Sequence, residues 1–123
     1  MHGKPLRRFL RSISHVSIVD KQAVKSAIAK NQLLIDVREP SETALGTIST
    51  AKLMPLGSII QYLHLDDSDF KKTCKFDKPK RDVPIIVYCR SGVRSQKAAD
   101  ATIALGYTNV SNYAGSWLDW IEK

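Results

Sequence analysis

The stretch IIVYCRSGVRS, residues 85–95, decides how this chain is to be read. Ile85 to Tyr88 is apolar and mostly β-branched, and Pro84 precedes it, as suits a buried central strand. Cys89 follows without a break, and Arg90, Ser91, Gly92, Val93 and Arg94 make a short turn. A helix is expected to start near Ser95, because Ala98, Ala99, Thr102, Ile103 and Leu105 mark one helical face that Gly106 ends. Strand, glycine-bearing turn and helix in direct succession are the unit from which parallel sheets are built.

Working upstream, residues 66–82 are charged and hold Pro79, which predicts a surface excursion with a short helix around Phe70. Ile59 to Leu65 reads as helical and Ala51 to Met54 as a brief strand before Pro55. Pro40 to Leu45 suits a short helix stopped by Gly46, and Leu33 to Val37 is a compact apolar run expected to be a buried parallel strand. Asp20 stands at an N-cap position ahead of a helix over 21–30, with Val24, Ala27 and Ile28 on its apolar face, and His15 to Ile18 alternates like an edge strand. Downstream, a strand near Val110 and a helix from Ser116 complete the alternation, which predicts an α/β fold with a parallel sheet covered on both faces.

In such a sheet ligands bind beyond the carboxyl ends of central strands, where Cys89 is expected to lie. Gly92 permits a backbone curl in which successive amide N–H groups point inward, and the helix behind adds its positive end. These fields favour a thiolate, the nucleophilic form of cysteine, and Arg90 and Arg94 supply charge able to hold an oxyanion. The histidines, His2, His15 and His64, are not adjacent to Cys89, so electrostatic activation is expected in place of a Cys–His pair. The competing reading is a small buried cysteine with two solvated arginines. Asp36 and Arg38, at the end of the Leu33 strand, are expected to form an ion pair that holds the loop. Cys74 sits among Lys71, Lys72 and Lys75 and reads as an exposed thiol, with a sulfur-relay role as the alternative. Trp117 and Trp120 are expected to pack the last helix.

Composition limits the remaining possibilities. Of 123 residues 43% are hydrophobic and 25% charged, which describes one folded domain with a modest core. The longest apolar run, Val83 to Cys89, falls far short of a membrane span. Two cysteines make neither a disulfide framework nor a zinc template, so a reducing, intracellular compartment is expected, with no metal or organic cofactor. The net charge is +7, but Lys4, Arg7, Arg8 and Arg11 all precede the first acid, Asp20. Residues 1–14 therefore read as a basic leader of mitochondrial transit type or a solvated basic tail of a cytoplasmic protein, with the domain over 15–123. Nucleic-acid binding is disfavoured, because no aromatic residues interleave with the charges.

Over residues 15–123 the chain resembles the rhodanese family. The stretches that carry the resemblance are LLIDVREPSE (33–42), GTISTAKLMP (46–55), IIVYCRSGVRS (85–95) and LGYTNVSNYAGSWLDW (105–120). It implies a rhodanese-like α/β fold, a central parallel five-stranded sheet with helices on both faces, and a persulfide formed on Cys89. It also implies a substrate cradle of Arg90, Ser91, Gly92, Val93 and Arg94, supported by Asp36, Arg38 and Ser95. GTI (46–48) and LDDSDF (65–70) are most similar to the short eukaryotic thiosulfate sulfurtransferases that use glutathione. Thr47 stands where many members carry histidine, and Leu53 and Met54 stand where many carry asparagine and isoleucine before the proline. The expected partners are thiosulfate as donor and glutathione or a thioredoxin-like protein as thiol acceptor, on a monomer. Two alternatives are a phosphatase or arsenate reductase, whose motif spaces arginine one residue further from cysteine, and a non-catalytic binding module of the same fold.

Overall fold

The computed structural model describes residues 15–122, so the basic leader over 1–14 lies outside the described residues. Five strands, β1 (Ser17–Val19), β2 (Leu33–Asp36), β3 (Lys52–Leu53), β4 (Ile85–Tyr88) and β5 (Val110–Tyr113), form one sheet in the order β1-β5-β4-β2-β3. Every pairing is parallel. Six helices connect them: α1 (Lys21–Ala29), α2 (Pro40–Thr43), α3 (Leu56–Leu63), α4 (Asp67–Cys74), α5 (Val93–Ala104) and α6 (Ser116–Trp120).

Alternate strand residues serve opposite faces. Ile35, Ile85 and Val87 join Ile59, Leu63, Phe70, Ala98 and Ala99 beneath α3, α4 and α5. Leu34, Ile86 and Tyr88 join Val24 and Ala27 beneath α1, with Trp117 and Trp120 of α6 packed against them. Strands buried on both faces explain why β2 and β4 read as continuous apolar runs.

The chain leaves β2 toward β3 at one edge and leaves β4 toward β5 at the other side. The two connections diverge at the carboxyl ends of β2 and β4, which opens the crevice where ligands of such sheets bind. Asp36 pairs with Tyr88 across these strands, and the Val37 N–H donates to the Tyr88 carbonyl at 3.0 Å. The segments beginning at Val37 and Cys89 therefore start side by side.

Three expectations need correction. Helix α3 begins at Leu56, directly after Pro55, three residues earlier than the apolar spacing indicates. Helix α5 begins at Val93 and not near Ser95, with Gly92 as its N-cap. Residues 67–74 form the helix expected around Phe70, but Phe70 is 0% exposed and meets Phe76 edge to face, so this segment contributes to the core and is more than a surface excursion. Its driving force was hidden by charge: Asp66 caps it by accepting from the Asp69 N–H at 2.8 Å, acids fill its first turn and lysines its last.

Candidate active site

Between β4 and α5 the chain makes one sharp reversal, and Gly92 is the residue that permits it. Its φ is +97°, in the left-handed region. A Cβ there would lie 2.3 Å from the Ala114 carbonyl oxygen, so space forbids a side chain as firmly as torsion does. With this turn made, the Gly92 N–H points back at the Cys89 Sγ from 3.1 Å, and the Ser95 N–H reaches it at 3.4 Å. The Ser95 hydroxyl lies 3.3 Å from the same sulfur.

Cys89 is 1% exposed. Burial is the largest single influence on its thiol and opposes ionisation. The Ser95 hydroxyl and the N–H groups of Ser95, Gly92 and Ser91 together outweigh it, and the thiol is held below its ordinary value. Among the described residues no histidine hydrogen-bonds this sulfur. The activating groups are backbone amides and one hydroxyl.

The loop is fastened by the segment that follows β5, the strand next to β4. The Cys89 N–H donates to Ser116 Oγ at 3.1 Å, and that hydroxyl donates to the Tyr113 carbonyl at 2.7 Å. Trp117 N–H donates to the Cys89 carbonyl at 2.9 Å and Leu118 N–H to the Arg90 carbonyl at 3.1 Å. Asn112 Nδ2 holds the Gly92 carbonyl at 3.2 Å. The first turn of α6 and Asn112 of β5 thus hold the loop's carbonyls, which fixes the curl.

The charged residues fall into two groups. Arg90 is exposed at the loop crest, and Arg94 lies on the first turn of α5. Arg94 forms a two-pronged ion pair with Glu42 of α2, at 2.7 and 2.8 Å, which pushes the Glu42 carboxyl down to about 2. Asp36 and Arg38 are 1% and 2% exposed and pair at 2.7 Å. Arg38 also donates to the Gly46 carbonyl at 2.9 Å, and its guanidinium lies over the Trp117 ring, 4.6 Å from its centre. This pair holds the connection after β2 against α6 and makes no contact with the sulfur.

Of the residues singled out from sequence, the structure gathers Cys89, Ser91, Gly92 and Ser95 around one sulfur and sets Arg90 and Arg94 at the rim. The Val93 side chain turns outward and is 63% exposed. Glu42 and Ser116 were missed. Glu42 follows Glu39 by three residues and accepts its N–H at 3.0 Å, so the local signal described a helix start and nothing more. Cys74 departs from expectation: it ends α4 half-buried against the core, and burial pushes its thiol up despite the nearby lysines.

A cleft of about 920 Å³ lies at the amino ends of β2 and β4 around Gln32, Phe76 and Pro84, at the pole opposite Cys89. A smaller one, about 460 Å³, adjoins the loop and is lined by Ile18, Ser91, Gly92, Val93, Asn112 and Ala114 among others. The chemistry follows the sulfur and not the larger volume. No cluster of His, Cys, Asp or Glu among the described residues is arranged to hold a metal ion.

Known proteins resemble this chain in sequence and in fold. A Schizosaccharomyces pombe protein provisionally named a mitochondrial thiosulfate sulfurtransferase is 43% identical over 116 residues, covering 90% of this chain and 82% of the relative. The human thiosulfate:glutathione sulfurtransferase is 35% identical over 91 residues, 73% of this chain and 79% of its own. The structure of a human single-domain sulfurtransferase superposes with a TM-score of 0.84 at 31% identity, over 89% of this chain and 98% of that one. A family profile described as the rhodanese-like domain matches residues 20–123, and with relatives of this similarity and coverage the chain belongs to the rhodanese-like family.

Proposed function

We propose that this protein is a thiosulfate sulfurtransferase that carries sulfane sulfur as a persulfide on Cys89 and delivers it to a small thiol such as glutathione. The observation that carries the reading is the ring of donors on one buried sulfur: Gly92 N–H at 3.1 Å, Ser95 N–H at 3.4 Å and Ser95 Oγ at 3.3 Å. Such a ring stabilises a thiolate and serves equally to hold the negative outer sulfur of a persulfide. The names of the relatives support thiosulfate and glutathione as substrates. A mitochondrial setting accords with the first of these names and with the basic residues 1–14.

In the first step the Cys89 thiolate attacks the outer sulfur of thiosulfate. The S–S bond of the donor breaks and sulfite leaves with the electron pair, so one dianion enters, one departs and the enzyme keeps a single negative charge as Cys89–S–S⁻. Arg90 draws the dianion to the loop. Arg94 spends one N–H of each terminal nitrogen on Glu42, and a guanidinium has five, so it retains donors for the sulfonate oxygens. In the second step an acceptor thiolate, its proton given to solvent, attacks the outer sulfur and Cys89 departs as thiolate.

Incubation with thiosulfate followed by mass spectrometry is expected to add one sulfur, about 32 Da, to the peptide containing Cys89. Cys89→Ser is expected to abolish both the adduct and turnover. An adduct carried by Cys74 alone, or turnover retained by the serine variant, sinks the assignment.

A further inference from the structure

The persulfide of the proposed cycle has to be met by an acceptor, and the cleft beside the loop has the features of its binding place. It lies between the exposed face of edge strand β1 and the start of α5, with a volume of about 460 Å³. That falls within the range of small-molecule clefts, roughly 300–1,000 Å³. Ile18 and Val93 wall it and are 62% and 63% exposed, which is unusual for two branched aliphatic side chains facing one hollow. Lys97 is the charged residue of its lining.

Gly92 joins this cleft to the sulfur. It lines the cleft, yet its N–H is 3.1 Å from the Cys89 Sγ, and it places no side chain between the two. The Cβ that it lacks would project onto the Ala114 carbonyl, part of the same lining. Below, Asn112 is 2% exposed and spends its Nδ2 on the Gly92 carbonyl and on Gln96 Oε1 at 3.2 and 3.0 Å, while its Oδ1 has no hydrogen-bond partner. The floor of the cleft is thereby tied to the turn that holds the sulfur.

We infer that this cleft is the acceptor subsite, and that its occupant is a small peptidic thiol carrying a carboxylate. The aliphatic walls take the chain of the peptide, Lys97 takes the carboxylate, and the thiol reaches the outer sulfur over Gly92. The inference rests on the sulfurtransferase reading only for the transfer step. That step forms a bond between acceptor sulfur and outer sulfur, breaks the Sγ–S bond and returns the electron pair to Cys89.

Two measurements test it. In steady-state assays Lys97→Glu and Ile18→Ser are each expected to raise the KM for glutathione, about fivefold to tenfold for the charge reversal. The KM for thiosulfate, the rate of persulfide formation and turnover with uncharged 2-mercaptoethanol should stay unchanged. Independently of turnover, titration with S-methylglutathione, which has no free thiol, is expected to shift the amide resonances of Ile18, Val93 and Lys97. An unchanged glutathione KM, an equal rise in both KM values, or amide shifts confined to the opposite pole each overturns the subsite. Absence of any Cys89 persulfide refutes the sulfur-transfer cycle, and the S-methylglutathione titration then still decides whether the cleft binds the peptide.

Discussion

Ser95 reaches the Cys89 sulfur twice, through its hydroxyl at 3.3 Å and its N–H at 3.4 Å. Substitution by alanine removes the first and leaves the second. Burial then opposes ionisation with less to offset it, so the pH midpoint of Cys89 alkylation should move up in Ser95→Ala, and thiosulfate turnover should fall about tenfold to a hundredfold. The sign also fixes a stability effect. A thiol held below its ordinary value favours the folded state above the unfolded value, and this contribution is lost as pH falls through the folded value. Measuring the alkylation rate against pH checks the midpoint, and an unmoved midpoint would show that the hydroxyl is not the activating group. Cys89, Gly92 and Ser95 were legible in the sequence because they lie within one turn of one another. Glu42 and Ser116 were not, since they meet the loop from 52 and 27 residues away.

The turn between β4 and α5 works as an element only while Gly92 remains glycine. Gly92→Ala must relieve a 2.3 Å approach to the Ala114 carbonyl and a left-handed φ together. Overpacking of this kind costs about 1–3 kcal/mol, and the strained torsion a further 1–2 or so. The expected result is a domain that still unfolds cooperatively at a lower Tm, with turnover reduced about a hundredfold or more as the N–H groups swing away from the sulfur. Calorimetry and a thiosulfate assay on the same preparation check this, and normal turnover would show the curl to be dispensable. Elements were legible where apolar residues repeated, as in α1, β2 and β4. α4 was legible as a short helix around Phe70, but its place in the core was not, because a single inward residue, Phe70, anchors a helix whose other positions are mostly polar or charged. The β3 strand was legible as a brief strand ahead of Pro55, while its two-residue extent was not, since so few positions let no period register.

At the scale of the molecule, the buried pair Asp36–Arg38 links β2, the Gly46 turn and α6 on one face of the sheet. Asp36→Ala would leave a guanidinium that is 2% exposed without its counter-charge. Such a loss typically costs about 3–5 kcal/mol, a large part of the stability of a domain this size. Urea unfolding should show the midpoint falling sharply, and a change under about 1 kcal/mol would mean that the pair is solvated in solution. The parallel sheet itself was legible from the alternation of strands and helices. Its order was not, because β1 pairs with β5 through Ser17–Ser111 and Val19–Tyr113, contacts between the two ends of the chain that no local pattern announces.

The fastening of the sulfur loop by Ser116, Trp117 and Leu118 has a consequence for the timing of synthesis. A growing polypeptide that has emerged only as far as Gly106 already contains the cysteine, its glycine and its serine. It has neither β5 nor the three groups that pin the loop's backbone. The backbone around the thiol is therefore pinned only after every residue of the curl itself has been synthesised, so the final geometry of the turn waits on the segment that follows β5.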